Sequence, residues 1–243
     1  MKLPAGPGAP AADAVDALAQ ATAACRGIRT LTAEVAASGK VSGQRFRARL
    51  SVGVAAPASA RVEAVAPFGA PYFILAATDE EATLLLPRDE RVLEHGKSQD
   101  VLDAVAGVPL GAGDLQTVLT GCAPVVAAPE GRELGADWRL LTGADGDALY
   151  LHRAGGRPWE LAAVLRRAWR VEYHDLLNGV PRTMRITSAA DRSSASFDLT
   201  LALSQVETNV PLGAEVFRVD IPRAAQPITL EDLRHARPGV REN

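Results

Sequence analysis

The sequence predicts a mainly β chain with a few α-helices: a single large curved antiparallel sheet, left as an unclosed β-barrel and covered by a helical lid. Three observations carry this. First, residues 45–54 (RFRARLSVGV) alternate strictly, with Phe46, Ala48, Leu50, Val52 and Val54 on one side and Arg45, Arg47, Arg49 and Ser51 on the other. Successive strand side chains point to opposite faces, so such a strand has one apolar and one wet face. Second, short breaks of turn residues separate consecutive alternating runs, the pattern of an antiparallel meander. Third, two helical segments interrupt the strands once, in mid-chain, which is not the rhythm of a parallel β-α-β fold. A sheet of about eleven strands or more must curl or close, and amphipathic helices are the available cover for its concave face.

Each element has its own signal. Residues 13–25 read as a helix, capped by Asp13, striped by Val15, Leu18, Ala19 and Thr22, and ended by Gly27. The period then changes to two, giving strands over 30–38, 44–54, 60–66, 72–78, 82–86 and 91–95. Ser42-Gly43, Ala56-Pro57, Pro67-Phe68-Gly69, Asp79-Glu80 and Pro87-Arg88-Asp89 supply the breaks. Val101, Leu102 and Val105 follow Ser98 at helical spacing until Gly107 and Pro109, and a second helix, 114–120, ends at Gly121. Strands resume over 131–134, 138–142, 148–152, 161–166, 168–174, 182–188 and 194–206. In the last, Phe197, Leu199, Leu201 and Leu203 alternate with Asp198, Thr200 and Ser204. A short helix over 230–236 precedes a polar end.

Composition narrows the function classes. Of 243 residues, 47% are hydrophobic, enough for a sizeable core, but only 5% are aromatic, so apolar surfaces are built from Ala, Val and Leu. A net charge of -3 argues against a nucleic-acid partner. The greasiest stretch, 64–78, is broken by Pro67, Gly69 and Pro71 and is too short to span a bilayer as a helix. Residues 1–12 read as a flexible Pro/Gly/Ala leader that suits a chain whose export signal has been removed. One domain over 13–222 and a tail over 223–243 complete the division. Cys25 and Cys122 sit at helix ends and read equally as two buried thiols or as one disulfide.

Catalytic and metal signals are absent from the sequence, and the expectation is a protein that is not an enzyme and uses no cofactor. His95, His152, His174 and His235 stand alone at strand ends or in the tail. Asp79, Glu80 and Glu81 read as a solvated turn, and Asp145 and Asp147 flank Gly146 at a hairpin tip. Ser193 and Ser194 have no histidine at an interpretable spacing. Arg45, Arg47 and Arg49, and the cluster Arg166, Arg167 and Arg170, read as a solvated outer face or as attractors of anionic head groups.

One element is out of keeping. Phe68 stands at the tip of the turn Ala66-Pro67-Phe68-Gly69-Ala70-Pro71. A phenylalanine there either folds back into the core or projects into something greasy.

The Pro67-Phe68-Gly69 turn, the helix pair within AGVPLGAGDLQTVLTG (106–121), the W-x-V-x-Y of Trp169, Val171 and Tyr173, and Pro181 and Met184 opening the next strand occur in one order. In this the chain resembles bacterial lipoprotein carriers of the LolA/LolB type, and within them the outer-membrane receptor, LolB. The segment NVPLGAEVFRVDIP (209–222) is similar to the ends of related LolA-fold domains. The resemblance implies an unclosed barrel whose hydrophobic cavity holds lipoprotein acyl chains under a helical lid. It implies that the loop Pro67, Phe68 and Gly69 projects and helps deliver cargo to the outer membrane. It also implies a monomer in the periplasm, anchored as an outer-membrane lipoprotein, with a periplasmic lipoprotein carrier as donor. The family's usual Leu is Phe68 here, and the leader holds no anchor cysteine.

The alternating faces nominate the wall of such a cavity: Phe46, Leu50, Val52, Val62, Ile74 and Leu84 from the first half of the sheet, and Val171, Tyr173, Met184, Ile186, Leu199 and Leu201 from the second. Leu102 and Leu115 stand for the lid. Periodicity nominates a solid core with the same residues. The alternative function is therefore a protein-interaction or sensor module with a largely filled interior.

Overall fold

The computed structural model describes residues 2–78, 81–123, 129–189 and 196–235. Two meanders run inward and outward through one sheet. The first holds β2 (Thr30–Val41), β3 (Gln44–Ala55), β4 (Ser59–Ala64), β5 (Phe73–Thr78), β6 (Glu81–Leu86) and β7 (Arg91–Lys97). The second holds β8 (Glu130–Glu133), β9 (Trp138–Thr142), β10 (Ala148–His152), β11 (Glu160–Leu165), β12 (Trp169–Leu177), β13 (Val180–Ser188) and β14 (Phe197–Thr208). Two-residue strands, β1 (Ala9–Pro10) and β15 (Gln226–Pro227), extend the two edges. The order is β1-β8-β9-β10-β11-β12-β13-β14-β2-β3-β4-β5-β6-β7-β15, a mainly antiparallel sheet of 15 strands not closed into a barrel. Only the short β15–β7 pair is parallel. The meanders meet at β14 and β2, so the sheet's centre joins chain segments far apart in sequence.

Turn chemistry fixes this register. Val41 faces Gln44 across Ser42 and Gly43, both at positive φ (50° and 78°). Leu177 faces Val180 across Asn178 and Gly179, again both positive. Two left-handed residues make the primed turn whose twist matches that of paired strands. Asn178-Gly179 extends its hairpin beyond the strands expected from alternation alone, which stop at 174 and restart at 182. The turn expected at Asp79-Glu80 and the serines Ser193 and Ser194 lie outside the described residues.

The helices α1 (Ala14–Ala21), α2 (Ser98–Ala106), α3 (Ala112–Thr120) and α4 (Leu230–His235) complete the fold. Helix α1 packs on β8 to β11, and α3 reaches β3, β4 and β13. Helix α2 lies on β6 and β7 with α4 beside it, where Leu233 is fully buried. Gly107 and Gly121 end α2 and α3 at positive φ (71° and 65°).

Two expectations for the first helix are corrected. Its buried residues are Ala14 and Ala17, while Val15 is 57% exposed. Small residues win this face because α1 lies close to β8, where even a Cβ on Gly131 would collide with Ala14. Asp13 does precede the helix, but its carboxylate caps no backbone N–H. Both its oxygens instead accept from the buried Arg139, at 2.7 and 2.9 Å. The segment 9–11, expected within a loose leader, pairs with β8 at Ala9–Glu133 and Pro10–Arg132. After β14 the chain crosses the convex face, where Arg61 donates to the Val216 and Arg218 carbonyls.

Candidate functional site

The alternation of the long central strands leaves a hollow under the lid. In register, Leu203, Val35, Leu50, Ala64 and Phe73 form one row across β14, β2, β3, β4 and β5. Ile186, Leu199 and Phe46 lie two rows further along, with Gly39 between the last two and the Leu201, Ala37 and Ala48 row in between. Between these rows and the α2–α3 hairpin is a cavity of about 950 Å³. Leu102, Val105, Val108, Leu110, Leu115 and Leu119 face it from the lid side. Apart from Ser38, Arg47, Arg49 and Tyr72, every residue of its wall is apolar. Such a wall offers burial to hydrocarbon, and its described residues include no carboxylate, imidazole or thiol for proton transfer or nucleophilic attack.

Of the residues nominated from sequence, Phe46, Leu50, Val52, Val62, Leu102, Leu115, Ile186, Leu199 and Leu201 are in this wall. Five are not. Ile74 pairs with Glu63 and Leu85, which places it on the convex face; Phe73 and Leu75 take the concave side. Leu84, Val171, Tyr173 and Met184 do face inward, but helices fill the space above them and they are solid core. The Tyr173 hydroxyl shows why: it donates to the Thr117 carbonyl of α3 at 3.0 Å, fully buried. Burial pushes that hydroxyl's pKa up, so it stays a neutral donor. Val35 and Ala37 on β2 belong to the wall and were findable, since Leu31, Ala33, Val35 and Ala37 alternate as plainly as β3 does.

The sheet is notched beside this cavity. β4 pairs with β3 only as far as Leu50–Ala64, and the Val65 N–H makes a last bond to the Arg49 carbonyl (2.8 Å). Beyond it, among the described residues, β3 has β2 on one side and no strand on the other. Two prolines, Pro67 and Pro71, forbid the chain from continuing the ladder there. It leaves as a loop, residues 65–72, in which Phe68 is 89% exposed. The loop is held from the β6–β7 turn: Arg88 donates to the Phe68 carbonyl (2.9 Å) and the Ala70 carbonyl (3.0 Å), and its guanidinium lies 4.3 Å over the Tyr72 ring. Phe68 is thus presented outward on a braced loop.

Two ties hold the lid. Arg166 donates to Asp114 at the start of α3 (3.2 Å) and pairs with Asp147 in the β9–β10 turn (3.0 Å). A disulfide joins Cys25, after α1, to Cys122, after α3, across 97 residues. The histidines lie elsewhere: His95 beside Glu81, His152 against the Trp138 ring at 4.4 Å, and His235 on the Glu231 carbonyl. Among the described residues no cluster of metal-ligating side chains occurs.

No protein-family model and no curated protein sequence matches the chain. Solved structures do. A LolA superfamily protein from Nitrosomonas europaea matches with a TM-score of 0.53 at 13% identity, covering 85% of this chain and 97% of that one. A domain from Vibrio parahaemolyticus named for outer membrane lipoprotein sorting matches with a TM-score of 0.53 at 12% identity, covering 84% and 96%. A DUF1329 family protein from Desulfovibrio piger matches with a TM-score of 0.50 at 10% identity, covering 86% and 98%. At these identities the likeness is one of fold: this chain has the LolA-like unclosed barrel with helices.

Proposed function

We propose that this protein is a non-enzymatic carrier that takes lipoprotein acyl chains, or another lipid, into its cavity and delivers them to the outer membrane. The observation that carries the reading is the apolar hollow of about 950 Å³ between lid and sheet. A hydrocarbon tail crossing water needs such a sleeve, and each methylene buried contributes about 0.8 kcal/mol. A tail of about fifteen methylenes gains roughly 12 kcal/mol before the cost of ordering it is subtracted. Small aliphatic walls make few demands of shape. The neighbours named for lipoprotein sorting and the LolA superfamily support an envelope location. The disulfide suits the oxidising periplasm. The projecting Phe68 favours a receptor of the LolB type, a monomer loaded by a periplasmic carrier and releasing cargo at the membrane surface.

The test is direct. Protein purified from cells should yield co-purifying lipid by mass spectrometry, and delipidated protein should bind a fluorescent fatty acid saturably. No lipid and no saturable binding would overturn the carrier and leave the interaction or sensor module.

A further inference from the structure

The arginines of this molecule are not equivalent. Arg61 pairs with Glu63, Arg139 with Asp13, Arg166 with Asp114 and Asp147, Arg170 with Glu172, and Arg185 with Asp198. Arg45, Arg47 and Arg49 make no ion pair or side-chain hydrogen bond with any described residue. They stand at every second position of one strand, about 7 Å apart. They also lie on the stretch of β3 that has lost its β4 neighbour. The backbone supplies a second set of donors there. The Arg49 carbonyl points into the notch, because it accepts from Val65. By the two-residue alternation of a strand, the N–H groups of Arg47 and Arg45 point the same way. Arg47 and Arg49, finally, border the cavity at this unpaired edge, with their side chains on the strand face opposite Phe46, Ala48 and Leu50, and none of the described lining residues is acidic.

An apolar sleeve open at an unpaired strand edge, where the backbone N–H groups have no partner among the described residues and a row of arginines leaves the other face of the same strand, is complementary to one kind of molecule. Resting on the carrier reading above, we propose that the cargo is an amphiphile with an anionic head group (phosphate, sulfate or carboxylate). Arg47 and Arg49, reaching round the unpaired edge from the other face of β3, hold that group at the notch, with Arg45 beyond them, while its tails lie in the cavity. Guanidinium contacts to such oxyanions are charge-assisted and geometrically selective. A bound anion also relieves the mutual repulsion of three like charges, which a neutral lipid does not.

The test uses two soluble probes with the same fluorescent acyl tail, a lysophosphatidic acid and the matching monoacylglycerol, each below its micelle concentration. The anionic probe should bind roughly tenfold tighter, the worth of about one charge-assisted hydrogen bond, and the advantage should shrink as salt is raised. The double variant Arg47→Gln, Arg49→Gln should bind both probes alike, with an unchanged melting temperature because both side chains are exposed. Equal affinities in the parent protein, or a preference that survives in the variant, would overturn the proposal. So would displacement of the anionic probe by inorganic phosphate at matching concentration, which would mark a free-anion site. A variant that loses only its association with anionic vesicles, keeping the probe preference, would assign the row to a bilayer surface instead. If neither probe binds, the carrier reading falls and this proposal with it; if both bind equally, the carrier stands and only the head-group selectivity falls.

Discussion

Phe68 forgoes the burial that a side chain of its size normally gains, of order 2 kcal/mol. Nothing in the fold compels that, since Arg88 braces the loop through backbone carbonyls rather than through the ring. Phe68→Glu should therefore leave the melting temperature within about 1 °C, as expected of an exposed substitution. On the carrier reading, transfer of an acylated protein from this protein to vesicles should fall severalfold, and unchanged transfer would remove Phe68 from delivery. Asp13 gives a second prediction. The hydrogen bonds from Arg139 hold its carboxyl below the usual carboxylate range. A depressed folded-state pKa stabilises above the unfolded value, near 3.9, and that contribution is lost as pH falls through the folded value. Asp198, lowered by Arg185, acts in the same direction. Acid unfolding followed by circular dichroism should thus show Asp13→Asn with a shallower loss below about pH 4 and a cost at neutral pH of about 1 kcal/mol, since the carboxylate is half open to water although Arg139 is buried. At this scale the faces of β3 and β14 were legible from alternation, and that of β5 was not. Phe73, Ile74 and Leu75 are consecutive apolar residues, and only the pairing of Ala64 with Phe73 decides which of them turns inward.

Among the elements, α3 is the one whose displacement would open the hollow on the carrier reading. Among the described residues only Arg166 ties its first turn to the β9–β10 hairpin by ion pairs, while the disulfide holds its far end. Arg166→Ala should speed exchange of a bound fluorescent fatty acid between protein and vesicles several times in stopped-flow, with equilibrium affinity lowered much less. No change in the exchange rate would free this tie from any part in opening. Cutting the covalent tie acts differently. Closing a loop of 97 residues removes unfolded-state freedom, so Cys25→Ser with Cys122→Ser should lower stability by roughly 2–5 kcal/mol in urea denaturation. Helix ends and hairpins were legible where glycine turns left-handed beside a break in period, as at Gly107, Gly121 and Ser42-Gly43, whereas the Asn178-Gly179 turn was not. The two-residue strands at Ala9–Pro10 and Gln226–Pro227 were not, because a pairing so short leaves no period to read. The face of α1 was misread for a related reason: Ala14 and Ala17 are buried by close approach to a glycine, which no hydrophobicity pattern encodes.

The molecule as a whole is a sheet whose concave side is part solid and part hollow, and that division is invisible to periodicity. Met184 and Leu201 are cross-strand partners on one face, yet Leu201 borders the cavity and Met184 lies in packed core. Where the helices sit decides between them, and that is a tertiary fact. Filling the hollow tests it. Ala48→Trp, on the cavity wall, should abolish saturable fatty-acid binding while changing the melting temperature by only a few degrees, the scale of about 1 kcal/mol. Binding that persists at parental affinity would locate the tail elsewhere.

The central seam has one more consequence. Ser204 on β14 donates to the Glu34 carbonyl on β2, 170 positions earlier, and among the described residues the strands of the second meander pair with the first only through this junction. Pairings so distant are slow to form and cannot begin while the later partner is still unmade. A chain wired this way can fold its local hairpins early, yet its two halves stay unjoined until Phe197–Thr208 has been synthesised.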